Sequence, residues 1–137
     1  MTQEQQDPIV EMIGADRFAW LTNSFSRDTK LSDMPLDVLE VLSQLDAARR
    51  DLASDPNAIT GIALLTFAYG MAGKRQEARH GSNDLMLVKI MARNELDRRS
   101  GKKRLENPMW SRPVVELITG EVGDRIRAEK LMTNPVT

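Results

Sequence analysis

Apolar positions in this chain recur at three-, four- and seven-residue intervals in five segments, and they never alternate with polar ones over a strand's length. That pattern predicts an all-α fold, a single-domain bundle of about five helices. The first segment opens at Asp7-Pro8, where an Asp caps free amides and a Pro in the first turn loses no bond. Ile9, Ile13 and Trp20, with Val10, Leu21 and Phe25, carry its stripe to about residue 25, with Gly14 inside it. A mostly polar connection follows over 26–33. The second helix is expected over 34–53 with Pro35 in its first turn. Val38, Leu42, Leu45, Ala48 and Leu52 repeat there with heptad-like spacing, and Leu36, Leu39 and Val41 widen the stripe enough for two neighbours.

Asp55-Pro56 repeats the start signal, so the second and third helices should form an antiparallel hairpin. The third, over 56–72, is apolar on nearly every side, which places it at the centre of a bundle. Gly61 and Gly70 inside it imply close approach by a neighbour. Ser82, Asn83 and Asp84 form a cap signal before a fourth helix bearing Leu85, Val88, Met91, Ala92 and Leu96, which Gly101 closes. The fifth is expected from Pro113, capped by Ser111. Val114, Ile118, Val122 and Ile126 recur every four residues in it, and Leu131 extends the stripe.

Length and composition add bounds to this picture. One core is the simplest use of 137 residues, with 1–6 and 133–137 expected to fray. A chain that is 41% hydrophobic and 28% charged should fold unaided. Without cysteine, thiolate metal sites, disulfides and thiol catalysis are excluded, and no cofactor is expected. The N-terminus lacks the cationic start and apolar stretch of a secretory signal, and the apolar run over 58–73 is too short for a bilayer, so the expected location is cytoplasmic.

Charge changes the picture most. Residues 1–73 carry 5 Lys/Arg against 11 Asp/Glu, residues 74–104 carry 10 against 4, and residues 105–137 carry 4 against 5, so an overall net charge of −1 hides a dipole. A basic face on a near-neutral protein can steer an anionic partner. Arg93, Arg98, Arg99, Lys102, Lys103 and Arg104 concentrate at the predicted end of the fourth helix and are the candidate partner-binding residues. A solvated helix terminus, with Glu95 and Asp97 pairing locally, is the plain alternative. The expected function is a small non-enzymatic adaptor, inhibitor or regulator that binds another protein, one with an acidic surface, through this patch and a helical face. The alternative is a nucleic-acid-binding accessory protein using 93–104, although no aromatic interleaves with these cations to stack on bases.

Catalysis has little support. His80 stands alone in the chain, next to Ser82 and Asp84, and sequence adjacency rarely builds a relay. Asp46, Asp51, Glu116, Glu121 and Asp124 fall among Arg and Lys as surface pairs do, and the glycines match no phosphate loop. The spacing of Leu65, Tyr69 and Ala78 resembles part of a tetratricopeptide repeat, with Thr66 where that pattern has Gly and no second copy in the chain. The resemblance implies a helical-hairpin scaffold that holds a peptide of another protein. Trp20 and Trp110 are expected at the core or its edge.

Overall fold

Six α-helices follow one another among the described residues of the computed structural model, which are 8–46, 55–74, 82–102, 108–120 and 124. They are α1 (Pro8–Ile13), α2 (Ala15–Asn23), α3 (Leu36–Ser43), α4 (Pro56–Met71), α5 (Ser82–Arg99) and α6 (Val114–Thr119), with short 3-10 turns at Leu31–Asp33 and Pro108–Ser111. No strand occurs among these residues; the only sheet-like pairing is an isolated bridge between Lys30 and Pro113. The expected all-α bundle is the observed one.

The apolar helix α4 is the hub. Asp55 caps it by accepting the Asn57 N–H at 3.0 Å, with Pro56 at its first position. It packs against α1, α2, α3, α5 and α6. Leu64, Leu65, Ala68 and Tyr69 are buried in the common core, and the buried Thr60 hydroxyl is satisfied by donating to the Pro56 carbonyl at 2.8 Å. Gly61 is where three helices close up: a Cβ there would lie 3.1 Å from methyl groups of both Leu45 and Leu85. Two glycines end their helices in the left-handed region. Gly73 (φ +74) lets the Lys74 amide reach back to Tyr69 O at 2.8 Å, and Gly101 (φ +78) lets the Lys102 amide reach Asp97 O at 2.9 Å.

Three of the expected helices are shorter than the apolar pattern implies. The segment over 8–25 is two helices, because Gly14 adopts φ +100 between them. Arg17 Nε fills the break by donating to Ile13 O at 2.6 Å. The second helix begins at Leu36, with Pro35 outside it as an extended cap, since a Pro excludes helical backbone from Met34 before it. It ends at Ser43, short of the expected 53. Leu45 leaves the helical path and is fully buried beside Gly61, so its burial and not its periodic position decides where the chain goes. Residues 47–53 lie outside the described set.

The helix from Val114 stops at Thr119, where Gly120 turns extended (φ −98, ψ −173). Lys74 Nζ takes the Thr119 carbonyl at 3.1 Å, while the Thr119 hydroxyl donates back to Val115 O. Ser111 belongs to the preceding 3-10 turn, and Pro113 occupies the cap position without a side-chain bond. Val122, Ile126 and Leu131 of the expected stripe, and the fraying expected at both ends, fall outside the described residues.

The connection over 26–33, expected to be a polar linker, is fastened at both ends. Thr29 and Leu31 are buried. Thr29 Oγ1 accepts the Ser26 amide at 2.9 Å, Asp33 accepts the Lys30 amide at 3.0 Å, and Thr29 O accepts the Val114 amide at 2.7 Å. This holds the 3-10 turn at 31–33 in place ahead of α3. Of the two tryptophans, Trp110 is buried in the core and Trp20 is half-buried against it, its ring 5.6 Å from that of Phe25.

Candidate functional site

The α3 and α5 helices run in opposite directions along the surface. At one end Arg99, in the last turn of α5, reaches the Met34 carbonyl just ahead of α3. At the other, Leu42 in the last turn of α3 and Leu45 just past it lie beside Leu85 from the first turn of α5 around Gly61. Between them lies an open groove of about 610 Å³, within the roughly 300–1,000 Å³ of ligand-scale clefts. One wall comes from Leu36, Glu40, Ser43 and Gln44, one face of α3 at helical spacing. The other comes from Arg93, Leu96, Asp97 and Arg99 on α5, with Ser100 and Lys102 just beyond its end.

The six candidate cations do not act alike. Arg98 and Arg99 both belong to Glu95, whose side chain is 5% exposed. Arg98 holds it through two parallel bonds, Nε to Oε1 at 2.9 Å and Nη2 to Oε2 at 2.6 Å, and Arg99 Nε donates to Oε2 at 2.8 Å. Arg99 also donates from Nη2 to the carbonyls of Leu31 (3.2 Å), Ser32 (3.3 Å) and Met34 (2.7 Å), bracing the 3-10 turn against α5. Burial alone would raise the Glu95 carboxyl, but the hydrogen bonds and charges of Arg98 and Arg99 together outweigh it and hold the group below its ordinary value. Arg98 is correspondingly raised by its bond and charge interaction with Glu95. Arg99 is therefore a strut, and its charge is largely matched from within.

Arg93 and Lys102 differ. Both are exposed in the groove, and neither side chain makes a hydrogen bond or ion pair among the described residues. Lys103 and Arg104 lie outside the described residues. Lys74, also a cation of the basic segment, is occupied at the end of α6.

Sequence reasoning missed the groove's other half. Leu36, read as part of the apolar stripe that meets neighbouring helices, is 53% exposed. Its neighbour across the groove, Leu96, is half-buried against the core. Glu40 and the carboxylate of Asp97, the latter expected to pair with nearby arginines, stand in the groove without a cationic partner among the described residues. The one sequence signal for this site was the clustering of Leu36 and Glu40 at an i, i+4 interval on a helix also rich in core positions.

The residues weighed for chemistry are dispersed. Asp46 and Asp124 are exposed, and Glu116 pairs with Arg112 at 2.6 Å on the surface. His80, Asp51 and Glu121 fall outside the described residues. No group of three or more metal-ligating side chains occurs among the described residues, and no helix there is long and apolar enough to cross a membrane. The chain matches no family model, the tetratricopeptide repeat included, and neither a curated protein nor a solved structure matches it.

Proposed function

We propose that the protein is a small cytoplasmic adaptor, inhibitor or regulator that acts by binding another protein along the α3–α5 groove, without chemistry of its own. The supporting observation is the groove's composition: an exposed Leu36 and a half-buried Leu96 line it together with two cations, Arg93 and Lys102, and two carboxylates, Glu40 and Asp97, whose side chains have no partner among the described residues. An apolar strip with a polar, charged rim is the anatomy of a protein interface. The carboxylates of Glu40 and Asp97 argue against the nucleic-acid alternative. A polyphosphate laid along the groove would meet both of them, and the cations left to bind it are fewer than the sequence count implied.

Two parallel measurements on the full chain test this. Mixed-sequence duplex and single-stranded oligonucleotides are titrated at low and high salt, and affinity capture from host lysate compares the wild type with Leu36→Asp and Arg93→Glu. The expected result is weak or absent oligonucleotide binding, with a captured protein that both variants lose. Tight oligonucleotide binding whose logarithm falls steeply with log salt, at about −0.9 per phosphate neutralised on a duplex, would replace this function with the nucleic-acid one.

A further inference from the structure

The break at Gly14 separates two helices that the apolar pattern allows equally well as one. The spacing of Ile9, Ile13 and Trp20, with Val10, Leu21 and Phe25, runs through it uninterrupted, and Gly14, at φ +100 and ψ 136, turns the chain. The turn costs hydrogen bonds, because Gly14 has no side chain to cap the free amides at the start of α2. In a continuous helix the amides of Ala15, Asp16 and Arg17 take the carbonyls of Glu11, Met12 and Ile13. Instead, the Ile13 carbonyl accepts the Arg17 side chain, from Nε at 2.6 Å, and the same guanidinium reaches Asp37 at 3.4 Å. In return α1 lies on α4, with Ile13 fully buried, Val10 and Met12 half-buried and Ile9 exposed. No residue of α1 belongs to the apolar cluster of the common core, whereas α2 contributes Leu21 to it and packs Trp20 against it.

We infer that α1 is a hinged arm with a second position. In that position Gly14 adopts ordinary helical backbone, residues 8–23 form one helix, and α1 projects from the bundle, uncovering the surface of α4 on which it lies. The Ile13 carbonyl makes the two positions exclusive. It accepts either the Arg17 side chain, which latches the arm down, or the Arg17 amide, which requires the straight helix. Opening gains three backbone bonds and loses the latch, the burial of Ile13 and part of that of Val10 and Met12, so terms of comparable size oppose each other. The core stays closed throughout, because α1 contributes nothing to it. A helix of six residues is too short to persist alone, so α1 leaves α4 as an extension of α2 and not as a free helix. The arm thereby controls access to the α4 surface.

Spin labels on the full chain test this. The sequence has no cysteine, so Glu11→Cys paired with Asn23→Cys, or with Thr66→Cys, takes nitroxides at those exposed positions alone, and pulsed electron spin resonance gives each distance. One continuous helix sets the backbones of residues 11 and 23 roughly 18 Å apart at 1.5 Å per residue, and a bend at Gly14 shortens this. With Gly14 and Arg17 in place, the shorter distance is expected to dominate. Gly14→Ala, whose side chain disfavours φ +100, should move it to a narrow distribution near the straight-helix value and lengthen the distance from 11 to 66. Arg17→Met, which removes the latch and leaves the backbone as it is, should show both positions. Circular dichroism checks that each variant folds, and should Gly14→Ala unfold, Arg17→Met decides by the same distances. A short distance from 11 to 23 retained by Gly14→Ala would overturn the hinge. So would a broad one accompanied by a longer distance from 11 to 66, which marks α1 unravelled and not fused to α2. An opened Gly14→Ala beside an unchanged Arg17→Met would overturn the latch.

Discussion

Removing the Arg99 guanidinium while keeping its packing stem, as in Arg99→Met, isolates the strut between α5 and the 3-10 turn ahead of α3. Arg99 donates four hydrogen bonds outside its own backbone, and they are not equal. The longer two end on carbonyls with other recourse: Leu31 O already accepts the Met34 amide at 3.1 Å, and Ser32 is exposed to water. The short two, to Met34 O at 2.7 Å and to the buried carboxylate of Glu95 at 2.8 Å, set the scale. A hydrogen bond from a charged group contributes about 1.5–3 kcal/mol net. The sum is reduced because the Arg99 side chain keeps 27% of its exposure and because Arg98 still holds Glu95. The expected loss is about 2–4 kcal/mol. Urea unfolding at pH 7, followed by circular dichroism, should show the midpoint falling by on the order of 1–2 M with an unchanged slope. A loss below about 1 kcal/mol, the range of solvated surface pairs, would refute the reasoning and return the Arg99 charge to the groove as a free cation.

The Glu95 carboxyl titrates lower in the folded chain than in the unfolded one, so its contribution to stability is complete above its ordinary value of 4.5 and is lost as pH falls through the lowered folded value. Glu95→Gln should therefore be less stable than wild type at pH 7, with the gap narrowing below pH 4.5; a gap of constant size would contradict the assignment. Gly14→Ala places a side chain at φ +100 and a Cβ 2.9 Å from Arg17 Nη2, so a loss of about 1–3 kcal/mol is expected in thermal or urea unfolding, and a neutral result would mean that the chain relaxes at this break. Leu65→Ala removes a fully buried side chain from the hub helix and should cost about 2–5 kcal/mol; a smaller loss would contradict its central place.

The elements were legible where the cause is local. The Asp55-Pro56 start, the Gly101 stop and the apolar surround of α4 act within a few residues, and all three appear as the sequence implied. Helix lengths were less legible, because apolar periodicity records which residues want burial and not which backbone path buries them. Leu45 satisfies the stripe and is buried, yet it reaches the core from outside the helix. Gly14 shows the same limit, since an interrupted helix and a continuous one carry the same spacing.

For the candidate site, the sequence by itself established that cations gather at the end of α5, and tertiary structure alone decided which of them are free. Arg99 is spent because the 3-10 turn, some sixty-five residues earlier in the chain, brings its carbonyls within reach. Arg98 is spent on a carboxylate three positions away that the core has buried. Leu36 is exposed at the start of α3, where it lines the groove with residues of the last turn of α5. Charge count and periodicity are additive along a chain, whereas pairing and burial depend on distances between segments far apart in it, and only packing sets those distances.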